Sequence, residues 1–124
     1  MKIERFEDIE AWKVARELTM NIYRMTRKSP LSKDYGLRDQ MQSASISIMA
    51  NIAEGFDSGS KKSFTNFLRY AFRSSSEVQS LLYIAMDCNY IQKEDFNKSF
   101  LLTQKTKALI GGFIRYLRAD KVQN

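Results

Sequence analysis

A chain of 124 residues with a formal charge of +6, no histidine, one cysteine and one proline excludes several classes of protein at the outset. Lacking histidine, it lacks the commonest general base and the commonest metal ligand together. Cys88 alone can form no internal disulfide, and no run approaches the roughly 18 apolar residues of a membrane span. The length fits one domain over residues 1–124, large enough to bury about two-thirds of its unfolded surface. The opening Met1-Lys2-Ile3-Glu4-Arg5 runs into charge and not into an apolar leader, so the expected location is cytoplasmic. Residues 1–62 carry a net +2 and residues 63–124 a net +4. A basic second half points to an acidic partner such as RNA or DNA.

The first helix is predicted over residues 8–28. Asp8 is its expected N-cap, Ala11, Ala15, Leu18, Ile22 and Met25 its apolar stripe, and Ser29-Pro30 its stop. Trp12, Thr19 and Tyr23 fall a quarter turn from the stripe, at the core edge or on a contact surface. Residues 29–36 form a connection with Tyr35-Gly36 as its turn.

The second helix, residues 37–56, sets Leu37, Met41, Ala44, Ile48 and Ile52 in one stripe and Gln40, Ser43, Ser47, Asn51 and Glu54 in a second, polar one. A third arc, Ile46, Met49 and Ala53, widens the apolar coverage beyond what a surface helix needs. This helix is therefore expected at the centre, touched on more than one side. Gly55 is read as a left-handed C-cap. Ser60 is the N-cap expected for the third helix, which extends to Asn89 with Phe64, Phe67, Leu68, Ala71, Ser75, Val78, Leu82 and Ala85 on one face. Asn89-Tyr90 turns the chain into the fourth helix, residues 93–119, striped by Leu102, Thr106, Leu109, Ile110, Phe113 and Leu117. Gly111-Gly112 inside it implies a close neighbouring helix or a bend, and residues 121–124 are read as a frayed tail. Four amphipathic helices with short connections give an all-α, antiparallel, up-down-up-down bundle.

Three constellations are candidates for function. Ser47, Asn51 and Glu54, facing Glu77, form a polar set whose simplest role is an interhelix hydrogen-bond network that fixes register. Without histidine, the Glu-x-x-His pairs of a di-iron bundle cannot be built, so neither metal nor cofactor is expected. Lys61, Lys62, Arg69, Arg73, Lys105, Arg115 and Arg118, with Lys98 and Lys107, are the candidate phosphate contacts. Lys62, Arg69 and Arg73 share an outward line flanked by Tyr70 and Phe72, and bases interleaved with aromatics can hold single-stranded nucleic acid. The competing reading is a solvated helix face. Trp12, Tyr23, Phe72 and Tyr83 sit beside their stripes, where a second chain would cover them. Met20, Met25, Met41, Met49 and Met86, at helical spacing, are expected to fill core space, and Cys88 to be a near-buried small hydrophobe.

Several motifs agree with one family. Phe6-Glu7-Asp8-Ile9-Glu10-Ala11-Trp12-Lys13-Val14-Ala15, Tyr35-Gly36-Leu37, Ser45-Ile46-Ser47-Ile48-Met49-Ala50-Asn51-Ile52-Ala53-Glu54-Gly55, Ser60-Lys61-Lys62-Ser63-Phe64 and Ser76-Glu77 resemble, in order, the bacterial 23S rRNA-intervening-sequence proteins, also called ribosomal protein S23. The likeness spans roughly residues 6–117. It implies a left-handed four-helix bundle, often a ring-like pentamer. The family name records where the genes lie and not an activity. A similar bundle, alike in fold and charge, serves diversity-generating retroelements as a basic pentamer that binds nucleic acid. Met49 stands where the family usually has proline, leaving a kink there open. Ser63 stands where it usually has Glu, leaving the capping box at Ser60 incomplete. The expected function is a non-enzymatic homo-oligomer that binds RNA or DNA through its basic face, with no membrane or small-molecule substrate as partner. The alternative is a protein–protein adaptor whose charge only maintains solubility.

Overall fold

The computed structural model describes residues 2–123, with side-chain surroundings through Ala119. Four helices carry the chain: α1 (Glu10–Thr26), α2 (Tyr35–Phe56), α3 (Lys61–Asp87) and α4 (Lys93–Gln123). Short 3₁₀ turns at Phe6–Asp8 and Leu31–Lys33 precede α1 and α2. No strand occurs among the described residues. α2 packs on α1 and α3, and α4 packs on α3 and α1, so each helix has two principal neighbours around a shared core. Leu18, Ile22, Met41, Ile48, Ile52, Leu68, Val78, Leu82 and Ile110 are fully enclosed there, each on the apolar stripe of its helix.

The helix ends show how local chemistry sets the boundaries. Asp8 does not cap α1. Its carboxylate already accepts from the backbone N–H groups of Glu4 (3.0 Å) and Arg5 (3.1 Å), so α1 starts after Ile9 without a side-chain cap. Those two amides, first Glu4 and then Arg5, hold the Asp8 carboxyl below its ordinary pKa. Asp34 caps α2 by accepting from Leu37 N at 3.2 Å, which moves Tyr35-Gly36 from the connection into the first turn of the helix. Ser60 caps α3, accepting from Ser63 N at 3.1 Å. α3 ends in a Schellman arrangement: Tyr90 N donates to Ala85 O and Asn89 N to Met86 O, both at 2.9 Å, with Asn89 left-handed at φ 59°. Cys88 occupies the C-cap and is exposed, not packed in the core. α4 continues through residues 121–123, expected as tail; Asn124 lies outside the described residues.

Gly55 is not a C-cap either. It is buried inside α2, and a Cβ built on it would lie 2.7 Å from Phe67 Cβ and 2.8 Å from Phe64 Cδ1. There α3 packs directly against the α2 backbone, and the left-handed residue of the loop is Gly59, at φ 90°. The glycine pair in α4 is the reverse case. A Cβ on Gly111 or Gly112 would meet only Arg115 of the same helix, at 3.6 and 3.8 Å, so no neighbouring helix is pressed against it. α2 runs unbroken through Met49. α2 is touched on two sides, by α1 and α3; of its third arc, Met49 and Ala53 are half-buried, Met49 against the core, and Ile46 is 46 % exposed. Phe67, Leu109 and Phe113, expected at the centre, are half-buried, and Met20 is exposed.

Candidate nucleic-acid interface

The positions Lys62, Thr65, Arg69 and Phe72 recur every three or four residues along α3, and Gly111, Arg115 and Arg118 do so along α4. Packing α3 on α4 brings these two rows together in adjoining clefts. One, of about 280 Å³, is bounded by Lys61, Lys62, Arg69 and Arg118 over Thr65 and Asn66. The other, of about 360 Å³, is bounded by Arg69, Arg73, Arg115 and Arg118 with Phe72 in its wall. Arg69 and Arg118 belong to both clefts. No described carboxylate lines either one. Arg69, Arg115 and Arg118 form no ion pair among the described residues. Gly111 lines the second cleft.

Aromatic rings stand beside these cations. Arg73 lies over Tyr70, its guanidinium carbon 5.3 Å from the ring centroid. Lys107 lies over Phe72 at 4.9 Å and donates to Gln79 Oε1 at 3.2 Å. Six of the nine candidate phosphate contacts, Lys61, Lys62, Arg69, Arg73, Arg115 and Arg118, thus meet on one face. Lys105 is exposed on α4 but lines neither cleft. Lys98 sits elsewhere, in a cleft between α1 and α4. Thr65 and Asn66, which the sequence reading does not single out, enter because they share the α3 face with Lys62 and Arg69; the Thr65 hydroxyl donates to Lys61 O at 2.8 Å, and neither residue carries a charge that would mark it.

The polar set is smaller than its stripe. Asn51 Nδ2 donates to Ser47 O (2.8 Å) and Ser47 Oγ (3.0 Å). Ser47 Oγ in turn meets Ser74 Oγ at 2.9 Å, linking α2 to α3. Glu54 and Glu77 are exposed, and no hydrogen bond reaches either among the described residues. Carboxylates this near water gain more from solvent than from a half-buried seam, and Ser74 takes the place expected for Glu77. No group of three or more potential metal ligands occurs among the described residues.

The proposed interface aromatics are dispersed. Trp12 is half-buried against Phe6, ring centroids 5.2 Å apart, with Arg16 over its face. Tyr23 is half-buried under Arg27. Phe72 belongs to the basic groove. Tyr83 is 51 % exposed and leans on Phe96 and Phe100, with Ile84 and Leu101 also exposed. At the other end, Phe56, Phe64, Leu109, Phe113 and Tyr116 line an open apolar cleft of about 770 Å³. No helix among the described residues is long and apolar enough to cross a membrane.

Fold and groove together define an all-helical, histidine-free protein whose last two helices present a basic surface. The chain belongs to the 23S rRNA-intervening sequence protein family, whose profile matches residues 7–112, as the Ser45–Gly55 motif had indicated. Among solved structures it is similar to a protein of unknown function from the S23 ribosomal protein family of Bacteroides thetaiotaomicron. The TM-score is 0.78 at 21 % identity, over 85 % of this chain and 95 % of that one, a likeness of fold. No curated protein matches.

Proposed function

We propose that this protein is a non-enzymatic, cytoplasmic homo-oligomer that binds RNA or DNA through the α3–α4 groove. The observation that carries the reading is the convergence of six cations in two clefts joined by Arg69 and Arg118, with no described carboxylate in their walls. Clustered guanidinium groups without acidic partners suit phosphate oxygens, which they can meet in bidentate fashion, and Tyr70 and Phe72 offer faces for unpaired bases. The fold reading that goes with it is one domain, an antiparallel up-down-up-down bundle. It is supported by pairs running in opposite senses: Thr19 with Ser45 and Thr26 with Gln42 between α1 and α2, Phe64 with Phe113 and Tyr83 with Phe96 between α3 and α4. Left-handedness and a pentameric ring rest on the family resemblance.

The test pairs sedimentation with binding of mixed RNA across a salt series. Binding that weakens steeply with salt, by an assembled species, is the expected result. A monomer at micromolar concentration would remove the assembly, and salt-independent or absent binding would remove the nucleic acid. The adaptor reading draws on the exposed Tyr83, Ile84 and Leu101 and becomes the better one in that second case.

A further inference from the structure

A second, separate polar cleft lies between α1 and α4. It measures about 80 Å³ and is bounded by Asn21, Arg24, Lys28, Asp95, Lys98 and Ser99, with Met25 beneath. Asn21 is only 6 % exposed, and its Nδ2 is the one buried side-chain nitrogen or oxygen among the described residues with no hydrogen-bond partner. Its orientation is fixed. Arg24 Nη2 donates to Asn21 Oδ1, and a guanidinium can only donate, so the amide nitrogen must turn the other way. A buried donor left unmade is costly and calls for an explanation. Ser99, almost wholly buried, is little better served. Its hydroxyl reaches only the thioether of Met25, at 3.9 Å, a weak acceptor.

Around these two donors stand three cations and one carboxylate, and none of Arg24, Lys28, Asp95 and Lys98 is in an ion pair among the described residues. The four side chains border the same space without neutralising one another. A net double positive charge with two underused neutral donors is the setting of a small anion. At about 80 Å³ the cleft is small, a size that suits one tetrahedral oxyanion.

Asp95 narrows the choice. A carboxylate repels a fully deprotonated anion but accepts a hydrogen bond from one that retains a proton. Sulfate and a phosphodiester have no such proton at neutral pH. A phosphate monoester keeps its last one only below a pKa near 6. Inorganic hydrogenphosphate keeps one P–OH. We propose that the α1–α4 cleft binds a single hydrogenphosphate ion, its oxygens taking hydrogen bonds from Asn21 Nδ2, Ser99 Oγ and the Arg24, Lys28 and Lys98 cations, and its P–OH donating to Asp95. The site is independent of the α3–α4 groove.

The experiment follows the Asn21 side-chain amide by NMR while the full chain is titrated with inorganic phosphate, then with sulfate, at matched ionic strength and pH. The expected result is a saturable shift with phosphate and a much weaker response to sulfate. Lys98→Gln, a change at an exposed position, should weaken phosphate binding about tenfold, the loss of one charge-assisted contact. Asn21→Ala should reduce the rise in melting temperature that phosphate produces; in phosphate-free buffer it gives up only the hydrogen bond from Arg24 to Asn21 Oδ1, since the donor it removes is unmade. No saturable shift would mean that the cleft holds only water and would overturn the site. Equal responses to phosphate and sulfate, or competition by an RNA lacking terminal phosphates, would overturn the assignment to a protonated ion. An unchanged affinity in Lys98→Gln would overturn the proposed contacts.

Discussion

Gly55 and Phe67 stand so close that a methyl group on the glycine would lie 2.7 Å from the Cβ of the phenylalanine. Alanine ordinarily stabilises a helix by up to about 1 kcal/mol over glycine. At Gly55 that gain is outweighed, because Phe67 Cβ is fixed to its backbone and cannot swing aside. Gly55→Ala should destabilise the protein by about 1–3 kcal/mol, the usual cost of overpacking. Gly111→Ala meets nothing nearer than Arg115 Nη1 at 3.6 Å and should stabilise it by about 0.5–1 kcal/mol. Denaturant midpoints of the two variants should move in opposite directions; a Gly55→Ala midpoint that rose would refute the close approach of α2 and α3, and a Gly111→Ala midpoint that fell would refute the open space at Gly111.

The two glycines also show where reading from sequence ends. A C-capping glycine and a glycine under a neighbouring ring look alike in one dimension. Only the placement of Phe64 and Phe67 against α2 separates them, and that placement depends on register between helices. The stripes Leu18–Ile22, Ile48–Ile52 and Ala71–Val78 needed no such knowledge, since a period near 3.6 is a property of one helix. Lys62 and Arg69 could be set on one line of α3 for the same reason. That Arg118 would stand across from Arg69 could not, because it is a fact about two helices. Glu77 was misplaced because polarity marks a residue as facing away from the core without saying whether it faces a neighbour or water; Ser74, smaller and three residues earlier, fits the seam with Ser47. Asn21 lies on α1 among apolar neighbours and offers no charge, so nothing in its spacing advertises the α1–α4 cleft.

Ile52 is wholly enclosed within the core cluster. Ile52→Asp would place a carboxylate where no described cation or donor awaits it, at a cost of several kcal/mol. Total stability for a domain is about 5–15 kcal/mol. The variant should lose its cooperative melting transition by circular dichroism. A melting curve like that of the parent would contradict the core assignment.

Tyr90 ties the α3–α4 turn to the start of α2: its hydroxyl donates to Asp34 Oδ2 at 3.0 Å, while Asp34 Oδ1 caps Leu37 N. That hydrogen bond first, then burial and the charge of Asp34, hold the phenol above its ordinary pKa of 10.0. A folded-state pKa raised above the unfolded one means that the tie contributes fully below about pH 10 and is lost as pH rises through the folded value. The melting-temperature difference between the parent and Tyr90→Phe should therefore be constant from neutral pH to near pH 10 and shrink above it. A difference that grows with alkalinity would have the wrong sign and would reject the bond.

The groove predicts a pattern that net charge alone does not. If phosphates sit in the two α3–α4 clefts, each lost contact should lower the slope of log affinity against log salt by about 0.7 on a single strand. Arg69 and Arg118 wall both clefts, so Arg69→Gln and Arg118→Gln should each reduce the slope and weaken binding, and the double variant should do so further. Lys105 carries the same charge on α4 but lines neither cleft, so Lys105→Gln should leave the slope unchanged. Phe72→Ala separates stacking from charge: it should weaken binding to single strands at every salt concentration without altering the slope, since base–aromatic stacking contributes about 1–3 kcal/mol per base and releases no counterions. Sedimentation of each variant checks that the assembly is intact. Equal losses from Arg69→Gln, Arg118→Gln and Lys105→Gln would show that the RNA responds to overall charge and not to a groove, and would transfer the function to a different surface.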